Sequence, residues 1–341
     1  MTERTYDVAV VGATGAVGEV LLELLLERGF PLGRLVPLAS ARSAGEDVAF
    51  GRRSVRVQAL DDFDFAGIDF AFFSAGGSVS ALHAPRAAAA GAVVIDNTSH
   101  FRMDPAVPLV VPEVNPDALA AFDDPAHAGI IANPNCSTIQ MVVALAPIHR
   151  EVGIARINVA TYQAVSGAGR KAMEELGRQT ADKLNFREPT VEAFSAPIAF
   201  NVIPRIDVLD EQGFTREERK MHNETRRILD DDALGVNATA VRVPVFYGHA
   251  EAVHFETREP IELGRVRELL AAAPGVELLP PDAEPTPLEH ASGRDPVVVG
   301  RLRRDPTHPR GIDLWIVADN LRKGAALNAI QIAETVLQRR R

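Results

Sequence analysis

Hydrophobic positions follow two rhythms along this chain. In the first third, short apolar runs alternate with segments whose apolar residues recur at helical spacing. A run at 6–11 (YDVAVV) leads through glycines into a helical pattern at 20–26, and further runs fall at 34–39, 68–74 (IDFAFFS), 92–96 (AVVID), 109–111 and 130–132. An alanine-rich helix is predicted around 80–90. Strand–helix alternation of this kind specifies an α/β domain with a parallel, doubly wound sheet, whose ligands bind at the carboxyl ends of the strands.

Beyond a helical segment at 139–148 the rhythm changes. Longer strands are predicted at 157–165, 236–245, 252–257, 297–302 and 312–318, with a polar helix at 170–184. A charged helix at 215–229 opens with Thr215 and carries Glu218 three residues on, the pattern of a capping box. Fewer crossover helices imply a second, α+β domain on a mixed sheet. The proline-rich stretch 274–287 reads as a surface loop, and an amphipathic helix at 325–337 is expected to return to the first domain. The predicted division is 1–133 plus 321–341 for the first domain and 134–320 for the second.

Composition narrows the picture. With 46% hydrophobic and 24% charged residues, the 341-residue chain can bury a full core. No apolar run is long enough to span a bilayer, and the apolar pattern at 21–26 is broken by Glu23. The first residues lack a signal-peptide pattern, and a single cysteine suits a reducing compartment, so a cytoplasmic location is expected. A formal net charge of −10 argues against nucleic acid or an anionic membrane as partner. Against that field, an anionic substrate needs specific Arg and Lys residues.

The strand–turn–helix at the start carries Gly12-Ala13-Thr14-Gly15-Ala16-Val17-Gly18, a GxxGxxG variant of the dinucleotide fingerprint. After the next strand stands Ser40-Ala41-Arg42-Ser43 where an NAD site commonly places Asp or Glu. Arginine and two hydroxyls suit a 2′-phosphate, hence NADP; an Arg in a solvated loop gives the same pattern. The strand-end loops 74–77 and 97–102 are candidate cofactor and substrate loops.

The only cysteine, Cys136, sits in IIANPNCSTIQ, between a short strand and a helix. Free N–H groups and the positive end of a helix dipole at such a point favour a thiolate and can bind an oxyanion. A free cysteine is also often a small buried hydrophobe, but Asn135, Ser137 and Thr138 flank this one with polar groups. A proton handler is needed, and His249 follows a β-rich stretch and a glycine turn that would aim a loop residue into a cleft. His83, His127, His222 and His308 read as surface residues. Gln163, in the strand after the cysteine helix, could orient a reacting carbonyl or make only a cross-strand hydrogen bond. Arg242, in an apolar strand, calls for a carboxylate partner. Glu217 and Lys220, one helical turn apart, could be a site pair or a surface ion pair.

Taken together, GATGAVG, SARSAG, SAGGS, DNTSHFRMD, NPNCSTIQ, YQAVSGAG, EERKMHNETRRIL, RVPVFYGHAE and DNLRKGAALNAIQIAE resemble the aspartate-β-semialdehyde dehydrogenase family along almost the whole chain. The resemblance implies a Rossmann-type NADP-binding domain and a second catalytic and dimerisation domain, in a homodimer. It implies NADPH-dependent reductive dephosphorylation of L-aspartyl-4-phosphate through a cysteine thioester, in biosynthesis of lysine and diaminopimelate, methionine, threonine and isoleucine, with no metal. Cys136 would be the nucleophile, Gln163 the orienting amide and His249 the acid/base. Arg242 would hold the substrate carboxylate, Glu217 its amino group, and Arg102, Lys220 and Asn135 the phosphate. Gly12, Thr14, Gly15, Ala16, Val17, Ser40, Arg42, Ser43, Ser74, Gly76, Ser166, Gly167 and Asn320 would line the NADP site. Ala250 stands where a serine is more usual, and Thr98-Ser99-His100 depart from the common serine and alanine. A related reductase of N-acetylglutamyl phosphate would keep the cysteine and histidine but has no amine for Glu217 to bind. A non-catalytic dinucleotide-binding homologue would be expected to have lost one of Cys136, Gln163 and His249.

Overall fold

In the computed structural model, residues 4–123 and 129–340 are described. The chain divides into two compact units, Met1–Asn135 with Ala325–Arg341, and Cys136–Gly324.

Unit 1 opens with strand β1 (Tyr6–Val11), helix α1 (Ala16–Glu27) and strand β2 (Leu32–Ala39), then a hairpin of β3 (Asp47–Phe50) and β4 (Arg53–Arg56). It continues through β5 (Gln58–Ala59), β6 (Phe70–Phe73), α2 (Gly77–Ala89), β7 (Val93–Asp96) and β8 (Ile130–Ala132). Its main sheet has the order β5-β2-β1-β6-β7-β8, and its strand pairings are parallel. Strands buried on both faces need continuous apolar runs, which is what YDVAVV and FAFF supply. The run at 109–111 makes only a single bridge, Leu109 to Ala132. Pro108 and Pro112 flank it and withhold the donors that a ladder would need.

Unit 2 begins with α3 (Cys136–Val152), β9 (Ile154–Gln163), α4 (Arg170–Leu184) and α5 (Arg216–Ile228). Thr215 caps α5 in the expected capping box, reciprocally with Glu218. Then come β10 (Gly235–Arg242), β11 (His249–Thr257), α6 (Leu263–Ala272), β12 (Val276–Leu278), β13 (Val297–Arg304) and β14 (Gly311–Ala318). The sheet order is β10-β9-β11-β14-β13-β12, parallel at its two ends and antiparallel between, a mixed sheet. Helix α3 packs against β9, β11, β13 and β14. One expectation for this region needs correction. The stretch 274–287 is not wholly loop: apolar Val276 and Leu278 pair with β13 and close the sheet edge, and the loop begins only at Pro280. Helix α6 precedes it.

The final helix, α7 (Leu327–Arg339), belongs to unit 1. There Leu327, Ile330, Ala333 and Val336 join Leu21, Leu25, Val8, Val10, Phe70, Phe72 and Ile95 in one core.

Candidate active site

In unit 1, Gly12, Ser40 and Ser74 lie just past the carboxyl ends of the neighbouring strands β1, β2 and β6. Gly12 has φ +88°, and a Cβ there would stand 2.7 Å from Ser74 O. A Cβ on Gly18 would stand 2.2 Å from Gly12 O, so the glycine turn and the first turn of α1 close on one another without side chains. Gly15 and Gly76 are the N-caps of α1 and α2, and neither supplies a side-chain cap. The leading N–H groups of both helices thus have no side-chain cap and are candidate anion donors, with Thr14, Ala16 and Val17 in the same turn. After β2, Ser40 O accepts from Ser43 N–H at 3.0 Å, and Arg42 is exposed on this tight loop.

Arg102 and Asn135 are also in unit 1 and both are buried. The loop after β7 is organised by Asp96, whose carboxylate accepts from Ser80 Oγ at 2.7 Å, Thr98 N–H at 3.0 Å and Thr98 Oγ1 at 2.8 Å. Thr98, one of the departures from the family pattern, therefore helps fix the loop. Arg102 donates to Asn97 O at 2.8 Å, and Asn97 Oδ1 accepts from Asn133 at 2.6 Å.

Unit 2 brings Cys136, Gln163, Glu217, Lys220, Arg242 and His249 together. Cys136 is the first residue of α3 and half-buried. Gln163 and Arg242 end the parallel strands β9 and β10 in direct register. His249 starts β11 and is fully buried, so it is a strand residue rather than the expected loop residue. Gly248, at φ +84°, makes the sharp turn just before it. The remaining histidines divide. His83 is buried, not at the surface as expected, because α2 turns it inward, where Arg86 lies 2.7 Å from its Nδ1. His222 and His308 are half-buried, and His127 lies outside the described residues.

The charges are arranged around Glu217. Its Oε2 is 3.0 Å from Lys220 Nζ and its Oε1 accepts from Gln163 Nε2 at 3.2 Å. Lys220 also lies 3.6 Å from Asp207. Burial pushes the Arg242 guanidinium down, while Glu217 and Cys136 act in the opposite direction and support its charge. Arg242 donates to Ala164 O at 2.8 Å, and Ala164 N–H donates to His249 Nδ1 at 3.0 Å. The ring therefore carries its proton at Nε2, an atom buried with no hydrogen-bond partner. Burial first, and Arg242 second, lower the His249 pKa to about 3.

Gly167 keeps open the space in front of this pair. A Cβ there would lie 3.2 Å from Arg242 Nη1 and 3.3 Å from His249 Nε2. Ser166 and Asn320 hold each other: Asn320 Nδ2 donates to Ser166 Oγ at 3.0 Å, and its Oδ1 accepts from Gly248 N–H at 3.0 Å. Ala250 points to the opposite sheet face, into a small cluster with Ala291, Val298 and Val317. That departure therefore does not touch the site.

Gly324 is the residue that sequence reasoning missed. Asp319 accepts from Leu321 and Arg322 N–H, and the turn it fixes carries Gly324 against the cysteine. A Cβ on Gly324 would stand 2.8 Å from Cys136 Cβ. A lone glycine between Lys323 and Ala325 was its only signal.

Residues 7–122 match the family model for the semialdehyde dehydrogenase NAD binding domain, and residues 145–323 match that for the semialdehyde dehydrogenase dimerisation domain. The chain is 56% identical to aspartate-semialdehyde dehydrogenase 2 of Vibrio cholerae over 335 residues, 98% of each chain. It belongs to the aspartate-semialdehyde dehydrogenase family. The Aquifex aeolicus aspartate-semialdehyde dehydrogenase is 53% identical, again over 98% of both chains. A crystal structure of aspartate semialdehyde dehydrogenase II from Vibrio cholerae, complexed with ASA, superposes with a TM-score of 0.96 at 55% identity, covering 98% of this chain and 99% of that one. The doubly wound unit 1 is the family's Rossmann-type NAD(P)-binding domain, and the mixed-sheet unit 2 its second domain. Among the described residues no helix is long and apolar enough to cross a membrane, and no group of His, Cys, Asp and Glu could hold a metal ion.

Proposed function

We propose that this chain reduces L-aspartyl-4-phosphate to L-aspartate-4-semialdehyde with NADPH, releasing phosphate, and runs the reaction reversibly. The observation that carries the reading is the convergence in unit 2 of Cys136, Gln163, Glu217, Arg242 and His249 on one end of a sheet, in a chain similar over its full length to aspartate-semialdehyde dehydrogenases.

The residues of unit 1 fit a dinucleotide. A Cβ would fill the cradle at Gly12, Gly15 and Gly76 present helix N-termini, and Ser40, Arg42 and Ser43 offer a cation and hydroxyls to a 2′-phosphate. Ser74 belongs to the same cradle, and Ser166, Gly167 and Asn320 are assigned to the cofactor by resemblance. Bound NADPH supplies the hydride that takes the acyl group to the aldehyde level.

Cys136, as thiolate at the amino end of α3, attacks the acyl carbon; the carbon–oxygen bond to phosphate breaks and a thioester forms. Arg242 holds the α-carboxylate and Glu217 the α-ammonium, displacing the Gln163 contact that Glu217 makes in the free protein. Arg102, Asn135 and Lys220 are the phosphate ligands in this reading. With Nδ1 committed to Ala164, His249 holds a proton at Nε2 and donates it as a hydrogen bond to the tetrahedral oxygen, and Gln163 orients the same carbonyl. Collapse of that adduct expels the Cys136 thiolate and frees the aldehyde. A homodimer through unit 2 is supported by the dimerisation-domain match and by the exposed Tyr162 and half-buried Trp315, rings 5.4 Å apart on the face opposite His249. A reducing cytoplasm would keep the lone thiol free.

The test is NADP reduction followed by absorbance, with aspartate semialdehyde and with or without phosphate. Phosphate-dependent activity in wild type, and none in Cys136→Ala, is expected. A folded wild type that binds NADP and stays silent would overturn the reading and send the assay to N-acetylglutamate semialdehyde.

A further inference from the structure

Helix α3 and strand β11 each carry a second buried polar residue one step behind the site. Gln140 follows Cys136 by four residues, on the same face of α3. Glu251 follows His249 by two, on the same face of β11. Both are fully buried, and neither Gln140's amide atoms nor Glu251's carboxyl oxygens make a hydrogen bond of ordinary geometry. Thr161 lies opposite Glu251 in the β9–β11 register, and its Oγ1 accepts from Gln163 Nε2 at 3.3 Å. Behind Cys136, Gln163 and His249 there is thus a matching layer of Gln140, Thr161 and Glu251.

An unpaired carboxylate is a costly group to bury. Around Glu251 stand Gln140 from α3, Thr161 from β9, Ile316 from β14, and His249 and Val253 on its own strand; of these only His249 titrates. Burial pushes the Glu251 carboxyl well up, and Gln140 alone opposes it. A carboxyl in its O–H form is complementary to a carboxamide: it can donate to Gln140 Oε1 and accept from Gln140 Nε2.

We propose that Glu251 and Gln140 are positioning residues that act as a pair, fixing the seats of His249 and Cys136 from one step behind them. The proposal rests on the catalytic reading of Cys136 and His249. An amide at 251 would preserve the pair, whereas an aliphatic side chain at either position would strand the other partner without a hydrogen bond.

The experiment compares Glu251→Gln, Glu251→Leu, Gln140→Leu and the double leucine variant. It reads kcat and KM for aspartate semialdehyde, and the pH dependence of Cys136 alkylation by iodoacetamide. Glu251→Gln is expected to keep kcat within about threefold and to leave the alkylation midpoint in place. Each leucine variant is expected to lose roughly tenfold in kcat with KM little changed, as a misplaced reacting group does. The double variant should lose no more than the worse single, because the two residues act as one unit. Wild-type kcat in Glu251→Leu would overturn the proposal, as would additive losses. So would an alkylation midpoint that falls by a unit or more in Glu251→Gln, since that would mean a carboxylate had stood behind the thiolate. If Glu251→Leu does not fold, Glu251→Gln and Gln140→Leu decide the matter alone. Alkylation needs no substrate, so a wild type silent toward aspartate semialdehyde would sink the functional reading while the pair is still tested.

Discussion

Gly12 and His249 each stand at the end of a strand in their own unit, and they are made by different means. Gly12 matters for what it lacks: its positive φ and the 2.7 Å from a would-be Cβ to Ser74 O make the cradle of unit 1 a shape of the main chain. His249 matters for what surrounds it: full burial, a committed Nδ1, and Arg242 nearby hold an imidazole neutral with its proton at Nε2. A site built of backbone should tolerate side-chain trimming and fail on any added Cβ. A site built of buried side chains should register charge.

The largest expected effect tests the second half of that contrast. The folded His249 pKa of about 3 lies below the 6.5 of a histidine in the unfolded chain. Between those values the unfolded chain binds a proton that the folded one does not, so this contribution to stability is full above pH 6.5 and is lost as pH falls toward 3. The whole span amounts to on the order of 4–5 kcal/mol, and about 2 kcal/mol of it is lost by pH 5. His83 and His149 are also lowered, chiefly by burial, and add loss of the same sign. Urea unfolding at pH 7, 6 and 5 should show His249→Gln with a shallower fall than wild type by about that 2 kcal/mol. Equal slopes would mean the ring is not held neutral.

The complementary test adds a side chain to unit 1. Gly12→Ala combines a left-handed φ with a clash against Ser74 O, and strain of this kind costs roughly 1–3 kcal/mol. A lower urea midpoint and weaker NADP binding are expected, with the rate of Cys136 alkylation unchanged. An undiminished NADP affinity would remove Gly12 from the cradle.

The same difference sets how much of each site is legible in the sequence. Glycine spacing is written locally, so GATGAVG set between an apolar run and a helical pattern predicts a strand–turn–helix and points to a dinucleotide. The unit 2 site joins residues from 136 to 324, and spacing alone leaves Gln163 and Lys220 open to bland readings and Arg242 without a named partner; only the family resemblance implies a role for each. Three features stayed illegible because tertiary neighbours create them: the inward turn of His83, the sheet-edge strand inside the proline-rich stretch, and the approach of Gly324 to the cysteine.

Gly324 shows that unit 2 also uses absence, at one point. Gly324→Ala would set a Cβ 2.8 Å from Cys136 Cβ, so the cysteine or the Asp319 turn must shift by several tenths of an ångström. Displacement of a reacting atom on this scale is expected to cost roughly tenfold in kcat, with NADP affinity unaltered. A kcat equal to wild type would show that the turn yields without moving Cys136.

The smallest effect asks whether unit 1 uses any side chain for recognition. Arg42 is exposed on the loop after β2, where no acidic residue stands to accept a ribose 2′-hydroxyl in 40–43. If its guanidinium meets the 2′-phosphate, the contact is charge-assisted yet solvent-screened, so its loss should weaken binding by about 1 kcal/mol, or roughly fivefold in Kd. Calorimetric titration of Arg42→Ala should show that loss for NADP and no change for NAD, which has no 2′-phosphate. Parallel losses for both cofactors would instead make Arg42 a prop for the loop. The selectivity of unit 1 would then rest on Ser40, Ser43 and the main chain alone.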